Sequence, residues 1–109
     1  MSEDIYKILE NIPNVYEGWY REDIKETHVT FFKYAESPIE FSDDEFESIE
    51  NSIQVDVWGT DKEETETTKE EVKNLLLKSG FNWTDSNNDF ESEIGLYHLA
   101  MRFNYQEEV

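Results

Sequence analysis

The segment from Tyr97 to Tyr105 alternates large apolar residues with smaller or polar ones, and this alternation constrains the fold more than any other feature. The first set comprises Tyr97, Leu99, Met101, Phe103 and Tyr105, and the intervening set comprises His98, Ala100, Arg102 and Asn104. Successive side chains of a strand point to opposite faces, so a period of two predicts a strand with one apolar face. The segment 53–58 repeats the pattern, with Ile53, Val55 and Val57 on one face and Trp58 on the other.

Two segments with helical periodicity are predicted to pack against the apolar face of such a sheet. The first helix has apolar residues at the spacing i, i+3, i+4 and i+7, namely Ile5, Ile8, Leu9 and Ile12. Ser2 is its predicted N-cap, and Pro13 ends it near Asn11. The second helix is predicted to follow a polar linker at 60–67. Its predicted features are a capping box at Thr68 and Glu71, an apolar face at Val72, Leu75 and Leu76, and a C-terminal glycine at Gly80.

The acidic segment between these patterns is predicted to be a long hairpin. A strand at 28–35 is expected to break at Ser37 and Pro38, and residues 36–50 are expected to form the tip and arms. The second arm runs into the 53–58 strand. A further strand is predicted at 81–85, with turn residues at 86–89.

Together these patterns predict an α+β fold in which a mostly antiparallel sheet has two helices packed on one face, in the order α-β-β-α-β-β. The segment 15–20 is interpreted as a short extended piece or turn. A chain of 109 residues predicts a single domain spanning 1–109. We expect its core between helices and sheet to contain Val55, Leu75, Leu76, Leu99 and Met101.

The charge balance narrows the choice of partners. Nine Lys and Arg residues stand against 27 Asp and Glu, a formal net charge of −18. Phosphate backbones and anionic lipid surfaces repel such a chain, so no direct nucleic-acid binding and no membrane association are expected. A basic protein partner and mimicry of nucleic acid both remain open. The absence of cysteine excludes disulfides and thiolate metal sites, and the acidic N-terminal residues predict no secretory signal.

No motif predicts catalysis. His28 and His98 lack metal-ligand spacing and are interpreted as surface strand residues opposite carboxylates. The acids at 43–47 lack the alternation of a calcium loop, and the chain has neither a nucleophile elbow nor a glycine-rich phosphate loop. The sequence therefore predicts no enzyme, no cofactor and no metal site.

The aromatic content points to a docking surface. Seven Phe, six Tyr and three Trp residues exceed the needs of so small a core, so some are expected to be exposed. Interfaces favour aromatic residues ringed by polar ones. The predicted subunit or tail interface comprises Ile39, Phe41, Asp43, Asp44, Phe46 and Trp58. The alternative for the acidic arm is that it folds back over the sheet.

Three segments, in this order, resemble signatures of the tail-completion, or tail-terminator, proteins of long-tailed phages and prophages. They are Thr30-Phe31-Phe32 followed by Ser37-Pro38 and 41–44, then 53–58, then 95–103. The resemblance covers residue 5 to the C-terminus. It implies an α+β fold and a ring, usually of six subunits, that caps the finished tail tube, ends its polymerisation and presents a surface to the head connector.

The predicted function is thus that of a structural protein at the tail–head junction of the virion, present in the host cytoplasm during assembly. Its partners would be the tail tube protein, the head-connector protein and further copies of itself. The alternative is an acidic nucleic-acid mimic that inhibits a host DNA-binding enzyme. A tail terminator should form a ring with the tail tube protein, whereas a mimic should bind a basic host enzyme.

Overall fold

The computed structural model describes the backbone of residues 2–42 and 45–108, and the side chains of 4–39 and 48–108. Two helices and five strands lie in these ranges. In chain order they are α1 (Ser2–Ile8), β1 (Val15–Glu17), β2 (His28–Ser42), β3 (Glu45–Gly59), α2 (Lys62–Lys78), β4 (Asn82–Glu91) and β5 (Leu96–Glu108). None of the described helices is long and apolar enough to span a membrane.

The strands form one mixed sheet in the order β1-β2-β3-β5-β4. β1 pairs parallel with β2, from Val15 opposite Val29 to Glu17 opposite Phe31. The remaining pairs of neighbouring strands, β2 with β3, β3 with β5 and β5 with β4, are antiparallel. The predicted order lacked β1 because a three-residue strand is too short to show a period. Its partner in the sheet is a distant segment, which local pattern does not reveal.

Both helices cover the same face of the sheet, as predicted. Their buried residues Ile5, Leu9, Val72 and Leu76 form one core with strand residues that include Val29, Phe31, Ile53, Val55, Val57, Leu99, Met101 and Phe103. The period-two assignments of β3 and β5 are therefore confirmed. Leu75, predicted to be buried, is only partly buried and packs against this core.

Helix α2 begins seven residues earlier than predicted, because its N-cap is Asp61 and not Thr68. Asp61 is its N-cap, and the Asp61 side chain accepts a hydrogen bond from the backbone N–H of Glu64 at 2.9 Å. The segment 62–67, predicted to be a linker, is therefore helical, and Thr68 lies inside the helix. Its polar residues are compatible with a helix because α2 is mostly exposed over residues 62–71, where Thr65 alone is buried. Gly80 has a φ of 95° beyond the helix end, as the sequence predicted.

At two places where the sequence predicted that a strand would end, the strand continues without a break. β2 runs through Pro38, which lies opposite Ile49, because β1 pairs only as far as Phe31 and a proline is tolerated on an edge. β4 runs through the predicted turn at 86–89, and the true turn lies at 92–95, where Gly95 has a φ of 67°. Because β4 is an exposed edge strand, it needs no apolar pattern of its own.

The predicted long hairpin is confirmed and sets the shape of the molecule. Its arms pair from His28 opposite Trp58 to Ser42 opposite Glu45. A strand of this length spans about 50 Å, which accounts for the long dimension of the 52 × 27 × 22 Å molecule. The strand β5 pairs with β3 only from Ser48 onward, so residues 40–42 and 45–47 extend past the third strand.

Candidate interaction surface

The described residues of the predicted interface do not all lie together. Ile39 is partly exposed on the arm, and the backbones of Phe41 and Phe46 pair across the hairpin. Asp43 and Asp44 lie outside the described residues, as do the side chains of Phe41 and Phe46. Trp58 lies at the opposite end of β3 from Phe46, about 40 Å away by strand rise. The interface role of these residues stays a prediction.

Trp58 occupies the sheet face away from the helices, as predicted, but it is only 2% exposed. Its Nε1–H donates a hydrogen bond to Thr30 Oγ1 at 3.0 Å. Trp19 stands edge-on to the Trp58 ring at 5.3 Å, and Tyr20 lies 5.1 Å away. Both belong to the connection between β1 and β2, which crosses this face and covers Trp58. Trp58 is therefore not an exposed anchor in this conformation.

His98 lies beneath this aromatic cover between two carboxylates. Its ring stacks on Trp58 with centroids 3.8 Å apart and planes 8° apart. Nε2 lies 2.6 Å from Asp56 Oδ1 and Nδ1 lies 3.2 Å from Glu91 Oε1. Two carboxylate acceptors are matched only when both ring nitrogens carry a proton. The arrangement therefore favours the imidazolium form, and the predicted carboxylate partners of His98 are confirmed.

The electrostatics of His98 follow from these contacts. Burial lowers the pKa of His98, but the hydrogen bonds and charges of Asp56 and Glu91 outweigh burial and raise the pKa above its ordinary value. The charged ring joins β5 to β3 and to β4. His98 thus serves as a cross-strand ionic link rather than as the surface residue that the sequence suggested.

The environment of His28 also differs from the one predicted from the sequence. It is fully buried rather than at the sheet surface, and its Nδ1 lies 3.0 Å from the backbone oxygen of Glu26 rather than opposite a carboxylate. Burial lowers the pKa of His28. The physical reason is again the connection at 18–27, since Tyr20 lies 6.0 Å from the His28 ring and helps to cover it.

A groove opens beside this cluster, between the 18–27 connection and the turn that joins β4 to β5. We call it the Trp19 groove; its volume is about 360 Å³, and its walls include Trp19, Tyr20, Phe90, Glu91, Glu93 and Ile94. Trp19, Phe90 and Ile94 are each close to half exposed. The aromatic excess predicted that some aromatic side chains would be exposed, but no sequence pattern identified Trp19, Phe90 or Ile94 as members of a site.

The described residues contain no group of three or more histidine, aspartate or glutamate side chains placed to hold a metal ion.

The chain was compared with known protein families, curated sequences and solved structures, and the similarity found is one of fold. No protein-family model matches the chain, and no curated protein sequence matches it. A chain in the solved structure titled "Virion of native gene transfer agent (GTA) particle" is similar to it, with a TM-score of 0.68 and 11% sequence identity. The similarity covers 96% of this chain and 84% of that chain. At this identity the likeness concerns the fold, which extends over nearly the whole of the present protein.

Proposed function

We propose that this protein is a virion structural protein that caps the end of a phage tail tube as a ring, stops tail polymerisation and presents a docking surface to the head connector. The observation that carries the proposal is the fold shared over nearly the whole chain with a component of a phage-like virion. Three segments resemble signatures of tail terminators and occur in the same order along the sequence. This resemblance supports the same function independently of the fold comparison.

The protein would act by docking and without catalysis. Its formal charge of −18 opposes the association of free subunits. The end of the tail tube would serve as the template, contributing contacts that overcome this repulsion. An acidic ring would also repel DNA from its wall and allow the DNA to slide through the opening.

The hairpin arm is the proposed subunit or tail contact. It extends past the third strand of its own sheet at 40–42 and 45–47. Ile39, Phe41 and Phe46 are apolar residues in an acidic stretch, a composition that suits burial against a neighbour with the acids left in water. In a ring, the arm would lie across the adjacent subunit.

The experiment is a genetic test in the phage or prophage that encodes the chain. Deleting the gene should give tails of uncontrolled length in electron micrographs, and supplying the wild-type protein should restore uniform tails. Tails of normal length after deletion would reject the tail-capping function.

The same assay tests the arm. The double variant Phe41→Ser with Phe46→Ser should retain the thermal stability of the wild type yet fail to restore tail length. Leu77→Ser is the matched control, because Leu77 is an exposed apolar residue that belongs to α2 and not to the hairpin. If the double variant unfolds, the arm belongs to the core. If it folds and restores tail length, the arm is not the contact.

A further inference from the structure

The Trp19 groove combines aromatic surface with negative charge. Trp19 stands nearly perpendicular to the stacked rings of Trp58 and His98, at 85° and 87°, and 51% of its surface remains exposed. Phe90 and Ile94 add half-exposed apolar surface from the turn between β4 and β5. Three of the large apolar side chains that the described structure leaves exposed therefore converge on one groove.

The two carboxylates of the groove decide which ligand fits. Glu91 bonds His98 through Oε1, whereas Glu93 makes no hydrogen bond or ion pair with the described residues. No lysine or arginine is among the described residues that line the groove. An apolar side chain seated here would take the Glu93 carboxylate partly out of water without a partner, which is unfavourable. A cation would both pair with the carboxylates and lie against the aromatic rings.

Among cations, arginine matches the groove best. Its planar guanidinium stacks on aromatic faces, pairs with carboxylates through a fork of donors and is less strongly hydrated than an ammonium. The net charge of −18 also favours a basic partner surface over an acidic or neutral one. We propose that the Trp19 groove binds an arginine side chain presented by a basic segment of a partner protein.

This site is separate from the hairpin arm. Trp58, at the floor of the groove, lies at the end of β3 that is remote from Phe46. The proposal therefore adds a second contact surface and does not depend on tail capping. A failure of the groove experiment would leave the tail-length assay unaffected, and the reverse also holds.

The probe is the tripeptide acetyl-Gly-Arg-Gly-amide, titrated into the full chain at about 0.15 M salt, where attraction to exposed charges is screened beyond roughly 8 Å. Indole N–H resonances in ¹H–¹⁵N spectra report each tryptophan separately. The Trp19 resonance should shift and saturate. The Trp83 resonance is an internal control, because Trp83 is exposed to a similar degree, 47%, on a different part of the surface and bonds Ser86 and the backbone of Asp85.

Matched probes and variants complete the test. The citrulline tripeptide, which has the same shape without the charge, and the lysine tripeptide should each bind at least about tenfold more weakly. Glu93→Gln and Trp19→Ala should weaken arginine binding, whereas Glu63→Gln and Trp83→Ala should not. Glu93→Gln keeps the test valid if Trp19→Ala perturbs the fold. Equal binding of citrulline or lysine, or equal losses from Glu93→Gln and Glu63→Gln, would overturn the proposal.

Discussion

Adjacent leucines of α2 lie in opposite environments. Leu76 is fully buried in the core, whereas Leu77 is 42% exposed. A helix turns by about 100° per residue, so neighbouring positions do not share a face. The pair therefore separates the contribution of core packing from that of helix propensity, because both residues have the same side chain in the same helix.

Leu76→Ala should lower the free energy of unfolding by about 2–5 kcal/mol, because it removes buried methyl groups and leaves a cavity. Leu77→Ala should change it by less than about 0.5 kcal/mol, as expected for an exposed site. Urea denaturation of both variants measures the difference. A loss below about 0.5 kcal/mol for Leu76→Ala would show that the helix register is wrong.

The two histidines give the second residue-level prediction, because the folded state shifts their pKa values in opposite directions. The pKa of His98 is raised above 6.5, so its contribution to stability is fully present below pH 6.5 and is lost as the pH rises through the folded-state pKa. The pKa of His28 is lowered from 6.5, so its contribution is lost as the pH falls below that value.

Unfolding free energies measured from pH 5 to 9 for the wild type, His98→Gln and His28→Gln test these signs. The stability difference between the wild type and His98→Gln should shrink as the pH rises above 6.5. The difference between the wild type and His28→Gln should shrink as the pH falls below 6.5. A difference for His98→Gln that does not change with pH would show that the link to Asp56 and Glu91 contributes no proton-dependent stability.

At the scale of elements, the start of α2 shows two competing capping signals. The Thr68–Glu71 pair has the spacing of a capping box, but Asp61 occupies the N-cap position. The Thr65 hydroxyl donates to the Asp61 carbonyl at 2.6 Å, and buried Thr65 lies against Gly59. Contact with the end of β3 thus positions the first turn of the helix and favours the earlier start.

Asp61→Ala should destabilise the protein by about 1 kcal/mol, because the backbone N–H of Glu64 loses its acceptor. Thr68→Ala is the control and should be close to neutral, since Thr68 lies inside the helix. Thermal and urea unfolding distinguish the two sites. A larger loss from Thr68→Ala than from Asp61→Ala would restore the capping-box assignment.

At the scale of the whole molecule, an elongated shape and a high negative charge act together. The chain extends 52 Å along the hairpin and carries a formal charge of −18. Cationic groups are few, and several are already paired, as in the Arg102–Asp85 and Lys73–Glu70 ion pairs. Copies of the chain therefore repel one another until salt or an oppositely charged partner offsets the charge.

Isolated protein should be mostly monomeric at low salt, and larger species should increase with ionic strength or with divalent cations. Screening shortens the repulsion, because the Debye length falls from about 30 Å at 0.01 M salt to about 10 Å at 0.1 M. Light scattering across a salt series measures the change. A hexamer whose population does not depend on salt would contradict charge control of assembly.

Local periodicity in the sequence was sufficient to predict the helices and strands that bury one face. The alternation at 53–58 and 97–105 and the apolar stripes of both helices predicted which residues meet in the core, since burial imposes a period of two on strands and 3.6 on helices. The long hairpin followed from two such segments joined by an acidic stretch. These features depend on neighbours in sequence, so the sequence alone determined them.

Only the tertiary structure determined the features that depend on contacts between segments distant in the sequence. The parallel pairing of β1 with β2, the extension of β4 through polar residues and the early start of α2 each arise from contact with another part of the chain. The same is true of Trp58 and His28, which appeared to be surface residues until the connection at 18–27 covered them. A period of two assigns a residue to a face of the sheet, but only the path of the chain determines whether another segment lies across that face.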